Sequence, residues 1–546
     1  MNLPRKTISF KNIPAKFYAY LLFIVLHVAL FNVNAAEWGD SYRILRASEY
    51  IRQGSYPSDE KRPPLFSALT AIRPNSVDPV VWGRVVVFIF SFLSLIVFDK
   101  LTQIYIKNEK YRFVSLILFI LNPVYLYWSI RVMADVPFSF FVLLTFYLLS
   151  KYYESLKQKE TDKDYKINNF KNLIFMGIVC GLSILTRFEG YLLFLSVFIG
   201  VIFSQYEIFF KKIKIKELFY LIKKNWKKAI VLGLTTLITI LPWLLYRNPL
   251  ESEYFEEPSR RTYNFNTIWI YLSSILYIFG FTSAFFFIIK SSKNVLDFLN
   301  RNISITTFMI VELLLILVWP AAIPRLFLPL IPFFVLILTI SLESYFKNYN
   351  NGKKTDLLIL VGPVFLLFFY ILSQYFLKLQ FLVPVKVAFA TIVLIQIFSL
   401  LSFYFGKVKM FFYLVLVSIT FWSISAIFNH KDIYTAIKSA GIYARDNLDG
   451  KIVFNDTTSI ADWYINYSYP QKDLIGEKWD FSDKKRLNYE YLLENDVSYV
   501  LVTNEDNSSF DLNMKNFKHL KLIQSFRYNI GSKEFFASIF EFKKIN

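Results

Sequence analysis

Six charged residues stand out because each falls at the end of an apolar run: Asp40, Arg62, Asp135, Arg187, Glu189 and Arg325. A carboxylate held at a membrane face can meet a lipid-borne substrate on one side and a polar acceptor on the other. Asp40 and Arg62 share one stretch, Glu37 to Phe66, a polar loop directly after the first long apolar run. Within it Ile44, Ala47 and Ile51 recur at helical spacing and Gly54 ends the pattern, so the loop is expected to hold a helix along the membrane surface. Asp40 also reads as the N-cap of that helix. Asp135 opens the next outward connection in Ser129 to Pro137, Arg187 and Glu189 fall in Thr186 to Gly190, and Arg325 lies in Pro324-Arg325-Leu326. Each of these has a plain reading as a cap, a snorkelling anchor or an interfacial ion pair. Together they gather on one side of a membrane if the topology places them there.

The elements that would do so are apolar helices. The chain has 546 residues, of which 55% are hydrophobic and 19% aromatic, and a mean hydropathy of +0.40, which excludes an ordinary soluble protein. Runs of about 20 apolar residues can cross the hydrocarbon core. Such runs lie at 17–36, 80–98, 113–130, 136–153, 173–187, 190–208, 229–246, 267–289, 304–320, 326–345, 357–376, 384–405 and 410–428, giving about thirteen crossings. The first resembles a signal peptide, with Asn34-Ala35-Ala36 as a cleavage pattern, but reads better as an uncleaved anchor. The net charge of +20 sits in short loops, Lys107 to Arg112, Lys151 to Lys171 and Lys211 to Lys228, as membrane orientation requires. No basic stripe with stacking aromatics points to nucleic acid. With the N-terminus cytosolic, the six charged residues lie outside, in a multi-pass cell-membrane protein. Joining 173–187 to 190–208 as one span would reverse every later loop.

Residues 1–428 thus read as a transmembrane domain with a catalytic outer loop at 37–79, and residues 429–546 as an extracytosolic α/β domain. Tyr434 to Asn447 has helical spacing, Lys451 to Asn455 and Tyr499 to Thr503 read as buried strands, and Phe535 to Phe542 as a last strand. Asn455, Asn466 and Asn507 match the N-glycosylation acceptor pattern. The single cysteine, Cys180, permits no intrachain disulfide. Glu312, midway along the ninth run, is the residue that best suits a rival function, a transporter or flippase of lipid-linked sugars. The acids gather at outer helix ends, however, and the two halves of the chain do not repeat.

Gly39-Asp40 after the first run, Arg62-Pro63-Pro64-Leu65, Asp135-Val136-Pro137, Arg187-Phe188-Glu189-Gly190 and Pro324-Arg325 through Pro332 resemble the GT-C superfamily of membrane glycosyltransferases. The pattern is most similar to protein O-mannosyltransferases and lipid A aminoarabinose transferases. The resemblance implies an inverting glycosyltransferase that moves a sugar from a polyprenyl-phosphate donor, dolichyl or undecaprenyl, to a hydroxyl of a glycan, lipid or protein. It implies Asp40 as catalytic base and Asp135 as its partner, with Arg62, Arg187, Arg325 and Arg131 binding the donor phosphate. Glu37 and Glu189 would support them. Many relatives follow the loop aspartate with Glu, whereas Ser41 stands here, so Glu37 or Asp135 would supply the second acid. No nucleotide is required, since the phosphate already sits on the donor lipid, and a divalent metal could be held by Asp40 and Asp135.

Overall fold

Long runs of Leu, Ile and Phe can satisfy their backbone polar groups in lipid only as helices, and this chain forms them. The computed structural model describes residues 14–156, 163–203, 215–248, 262–347, 368, 386–505 and 517–544, apart from 280, 281, 283, 285, 322, 457, 469–472, 482, 531 and 532. In chain order the helices are α1 (Ala15–Leu30), α2 (Gly39–Arg52), α3 (Leu65–Ala71), α4 (Pro79–Tyr105), α5 (Glu109–Ile120), α6 (Pro123–Ser129), α7 (Asp135–Leu156), α8 (Lys163–Thr186) and α9 (Gly190–Phe203). They continue as α10 (Ile215–Tyr246), α11 (Phe265–Ile278), α12 (Phe286–Lys290), α13 (Ser292–Arg301), α14 (Ile303–Val318), α15 (Ile331–Lys347), α16 (Lys386–Tyr404), α17 (Val408–Asn429) and α18 (Thr435–Asn447).

A helix stands at each expected crossing that lies among the described residues, but several are shorter than a full span. Five are long and apolar enough to cross a membrane alone, or seven if each bent pair counts as one span. The expected count of thirteen crossings is therefore not what the helix lengths establish. The reasons are local. Asn122-Pro123 breaks one run, because the proline cannot donate and the Asn122 side chain caps the new helix, so α5 and α6 meet at 55°. In the run 267–289 helix α11 ends at Ile278 after 14 residues, and α1 stops at Leu30 rather than reaching Ala36. The crossing expected at 357–376 lies outside the described residues, apart from Phe368, as do 204–208, 384–385, Lys157, Lys159, Lys211, Lys212 and Lys214.

The segments 173–187 and 190–208 are separate, not merged. A Cβ on Gly190 would come within 2.4 Å of the Ile184 backbone nitrogen, so only glycine lets the chain turn back so tightly between α8 and α9. That reversal is what presents Arg187 and Glu189 at a helix end.

The C-terminal region is a five-stranded sheet with α18 against it. Its strands are β1 (Gly450–Phe454), β2 (Leu474–Lys478), β3 (Tyr499–Thr503), β4 (Leu520–Ile530) and β5 (Lys533–Phe542), in the order β2-β1-β3-β5-β4. Both neighbours of β1 run parallel to it, and β5 is antiparallel to β3 and β4. Two of the three glycosylation patterns are built into this fold. Asn455 donates to the Thr503 carbonyl at 3.1 Å and accepts from the Thr503 amide at 3.0 Å, and Asn466 pairs in the same way with Gly476. Asn507 lies outside the described residues.

The sheet region is tied to the start of the loop that carries Asp40. Lys438 donates to the Ala35 carbonyl at 2.6 Å, the Ala35 amide bonds the Lys431 carbonyl at 2.8 Å, and the Tyr42 ring packs 5.6 Å from Tyr464. A Cβ on Gly39 would meet the Thr458 carbonyl oxygen at 2.4 Å. Gly39→Ala must therefore push the loop and the sheet region apart, and is expected to destabilise the protein by about 1–3 kcal/mol, read as a lowered thermal midpoint. An unchanged midpoint would mean that this contact does not hold the two together.

Candidate active site

The loop from Glu37 to Phe66 is folded, and its fold aims its charges. Helix α2 starts at Gly39 with Trp38 as N-cap and no side-chain cap bond, so Asp40 is a first-turn residue and not the cap expected from the sequence. Its carboxylate is free to turn away from the helix. Gly54, at φ +80, ends the helix region in the left-handed conformation that glycine takes easily. Arg247, at the end of α10, pins the rest of the loop by donating to the Glu60 carbonyl at 2.6 Å and the Ser58 carbonyl at 2.6 Å. Pro324 and Pro329 hold Pro324–Leu330 as a 3-10 turn, which points Arg325 back at the loop.

These elements surround a cavity of about 670 Å³. Asp40, Asp135, Arg62, Arg187, Glu189 and Arg325 all line it. They form a ladder of alternating charge. Glu60 holds Arg62 at 2.9 Å, and Arg62 in turn pairs with Asp40. The other Asp40 oxygen takes Arg325 at 3.0 Å, and Arg325 reaches Asp135 at 3.5 Å. Asp135 holds Arg187 at 2.5 Å, and Arg187 closes the series on Glu189 through two nitrogens. Only Asp40 keeps much exposure, one third of its side chain against 4% for Asp135. Asp40 is therefore the most accessible member of the ladder.

Burial alone would raise the Asp40 carboxyl, but Arg62, Arg325 and Lys61 together hold it well below the usual carboxylate range. Asp40 thus stays ionised into acid. With the folded value depressed, its contribution to stability is present above the unfolded value and lost only as the pH falls through the folded one.

Two expected residues are not in this cavity. Glu37 is fully buried, with one oxygen on Arg84 at 2.7 Å and the other accepting from the Val132 amide at 3.1 Å. Arg84 also donates to the carbonyls of Phe31 and Asn34, so the pair staples the end of α1, the loop and the segment before α7. Arg131 is 1% exposed, donates to the carbonyls of Ala36 and His430, and stacks 4.7 Å over the Tyr127 ring. Neither lines the cavity; of the two acids expected beside Asp40, Asp135 lines it and Glu37 does not. The notion of a metal between Asp40 and Asp135 does not suit the donor set. Both carboxylates are engaged by guanidiniums, and no group of three or more His, Cys, Asp or Glu side chains gathers among the described residues. Glu312 is 2% exposed and lies behind the cavity, in the electrostatic field of Glu189 and Arg187.

Other residues line the cavity that the sequence did not point to. Arg43 and Lys61 add cationic side chains, giving five cations, Arg43, Lys61, Arg62, Arg187 and Arg325, against the acids Asp40, Asp135 and Glu189. Glu60, which pairs with Arg62 and faces Arg43 from behind the wall, brings the acids to four, and the one positive charge left over suits a phosphate diester. Trp38, Tyr127, Trp128 and Trp319 supply aromatic walls, and His430, Tyr434 and Thr458 come from the segment after α17. A basic residue inside the loop helix was a readable signal for Arg43, whereas nothing local marks Tyr434 or Thr458.

Comparison with known proteins fits this geometry. The sequence matches the family described as dolichyl-phosphate-mannose-protein mannosyltransferase over residues 60–253, a range that holds Arg62, Asp135, Arg187 and Glu189 but neither Asp40 nor Arg325. No curated protein sequence matches the chain. Among solved structures the chain is similar to ArnT from Cupriavidus metallidurans bound to undecaprenyl phosphate, with 10% identity, a TM-score of 0.62, and coverage of 96% of this chain and 97% of that one. It is also similar to the oligosaccharyltransferase AglB from Archaeoglobus fulgidus in complex with an inhibitory peptide and a dolichol-phosphate, with 11% identity, a TM-score of 0.52, and coverage of 97% and 74%. At these identities the likeness is one of fold.

The charge ladder makes a specific demand on pH behaviour. Replacing Arg62 with Ala removes a cation that holds Asp40 low, while the raising effect of burial stays, so the Asp40 value rises. The acid limb of the pH–activity profile is then expected to move to higher pH in Arg62→Ala than in the unaltered protein. A limb that stays in place would separate Asp40 from the activity.

Proposed function

We propose that this chain, a membrane glycosyltransferase of the GT-C superfamily, moves one sugar with inversion from a polyprenyl-phosphate donor to a hydroxyl acceptor on the outer side of the cell membrane. The observation that carries the reading is the position of Asp40, partly exposed in a cavity whose cationic side chains outnumber its acids, beside Arg62 and Arg325.

The arrangement suits the chemistry as follows. The donor presents a phosphate whose negative charge grows as its bond to the sugar carbon breaks. Guanidiniums already fixed in place can take that charge without reorganising water. Arg62 and Arg325 hold Asp40 low in the resting protein, which makes it a poor base. When the donor phosphate arrives it competes for both guanidiniums, and the carboxylate they release becomes more basic next to the acceptor. The acceptor oxygen then forms its bond to the sugar carbon and its proton passes to Asp40. The bond from that carbon to the phosphate oxygen breaks, and the electron pair stays on the polyprenyl phosphate.

Asp135 keeps Arg187 and Arg325 in register, and Glu189 holds Arg187 from the other side. In this account Asp135 is a positioning residue whose carboxylate never meets the acceptor. The lipid carrier, dolichyl or undecaprenyl, follows the two carriers named in the similar structures, undecaprenyl phosphate in ArnT and dolichol-phosphate in AglB. The donor lipid would lie along the helices, with the C-terminal sheet region outside the cell.

Membranes supplied with radiolabelled polyprenyl-phosphate sugars test this reading. Asp40→Asn is expected to lower transfer by about 10²–10⁴-fold, the range of a general base, while donor binding persists. Arg325→Ala is expected to weaken undecaprenyl phosphate binding by about 1.5–3 kcal/mol, the range for a hydrogen bond to a charged group. Equal transfer by Asp40→Asn and the unaltered protein would sink the assignment.

A further inference from the structure

Apart from its charges, the cavity contains an aromatic corner. Trp38 and Tyr434 are both half-buried and both line the cavity, with their rings 5.7 Å apart at 83°. Trp38 lies two residues before Asp40, while Tyr434 comes from the far end of the chain, just before α18. The indole of Trp38 is fixed from behind, donating to the Tyr127 hydroxyl at 3.2 Å and lying 5.8 Å from Trp128.

The backbone around Tyr434 is strained. Tyr434 has φ 62, and Ser459, next to the cavity residue Thr458, has φ 64. A left-handed conformation at a residue with a side chain costs energy and persists where the surroundings over-determine it, commonly at functional sites. Here they do. The Tyr434 amide donates to the Tyr528 hydroxyl at 2.9 Å, and Glu505, beside that hydroxyl, accepts from the Ile437 amide at 2.6 Å. The buried Asp456 carboxylate takes the Thr458 amide at 2.6 Å, the Thr458 hydroxyl and the Ala461 amide at 2.7 Å. Tyr528 of β4 thus fixes the Tyr434 backbone in a conformation that its side chain disfavours, and Asp456, just after β1, fixes the turn at Thr458 beside it.

We propose that Trp38 and Tyr434 form a sugar-ring subsite for the acceptor, so that the accepting hydroxyl belongs to a carbohydrate. This rests on the transferase reading above and adds the acceptor class to it. A pyranose has flat C–H faces and a rim of hydroxyls, and two aromatic faces meeting in a corner next to a carboxylate match both parts. The donor sugar, in contrast, is placed by its bond to the phosphate, which the cationic side of the cavity takes. Tyr434, just before α18, and Thr458, just after β1, both come from the sheet region, so this region and the loop would hold the acceptor between them.

The test uses the full-length protein in detergent with two probes, methyl α-D-mannopyranoside and methyl β-D-glucopyranoside, read by saturation-transfer NMR, and undecaprenyl phosphate binding as a separate measurement. Tyr434→Gly removes the ring and suits the left-handed backbone, so the fold is retained. Tyr434→Phe keeps the ring. The unaltered protein and Tyr434→Phe are expected to show saturation transfer to at least one glycoside, and Tyr434→Gly to show about tenfold weaker binding. Undecaprenyl phosphate should bind all three alike. Equal glycoside signals in Tyr434→Gly, or none in the unaltered protein, would overturn the subsite. So would label transferred from donor to a Ser/Thr peptide and to no glycoside. Glycoside binding without undecaprenyl phosphate binding would keep the subsite and overturn the donor reading instead.

Discussion

Asp40 held between Arg62 and Arg325 is the interaction on which the rest of the site depends. Desolvating several charges is expensive, and such pairs persist only where geometry satisfies nearly every partner. The protein meets that condition by linking Glu60, Arg62, Asp40, Arg325, Asp135, Arg187 and Glu189 in one alternating series. Its members come from the loop, from α7, from the turn between α8 and α9, and from the 3-10 turn before α15. Four separate parts of the chain must therefore be placed together, and the glycine at 190, the prolines at 324 and 329, and the Arg84–Glu37 staple each serve that placement.

The ladder also explains why a charged cavity is compatible with a membrane fold. In the resting state each arginine has a carboxylate, so no isolated charge faces the apolar bundle. The five cations of the cavity wall exceed the ladder's four acids by one, which would balance the single negative charge of a polyprenyl-phosphate sugar, a phosphodiester. In the proposed reaction a donor phosphate exchanges partners with Asp40 and adds no uncompensated charge. Donor binding and activation of the base would then be one event.

Much of this was legible in the sequence, for reasons that differ by element. The apolar runs marked the helices because lipid leaves the backbone no other choice, but helix ends set by Pro123 or Gly190 made several shorter than the runs suggested. Asp40, Arg62, Asp135, Arg187, Glu189 and Arg325 could be grouped because each sits where an apolar run ends. The same rule also picked Glu37 and Arg131, whose side chains turn inward to Arg84 and to backbone carbonyls. Side-chain direction at a helix end has no local signature. Strands β2 and β4 were missed because Leu474–Lys478 contains a glycine and two charges and β4 has one buried residue among eleven, so neither shows a buried-strand pattern. Tyr434 and Thr458 were unreadable for another reason: they meet the loop only through contacts across some four hundred residues of sequence.

The central claim is the exchange of partners at Asp40, and a cryo-electron microscopy structure of the full-length protein with undecaprenyl phosphate tests it most directly. The account predicts the phosphate within hydrogen-bond distance of Arg62 and Arg325, with the Asp40 carboxylate released from both and open to the corner formed by Trp38 and Tyr434. A phosphate bound elsewhere, with Arg62 and Arg325 still on Asp40, would contradict it.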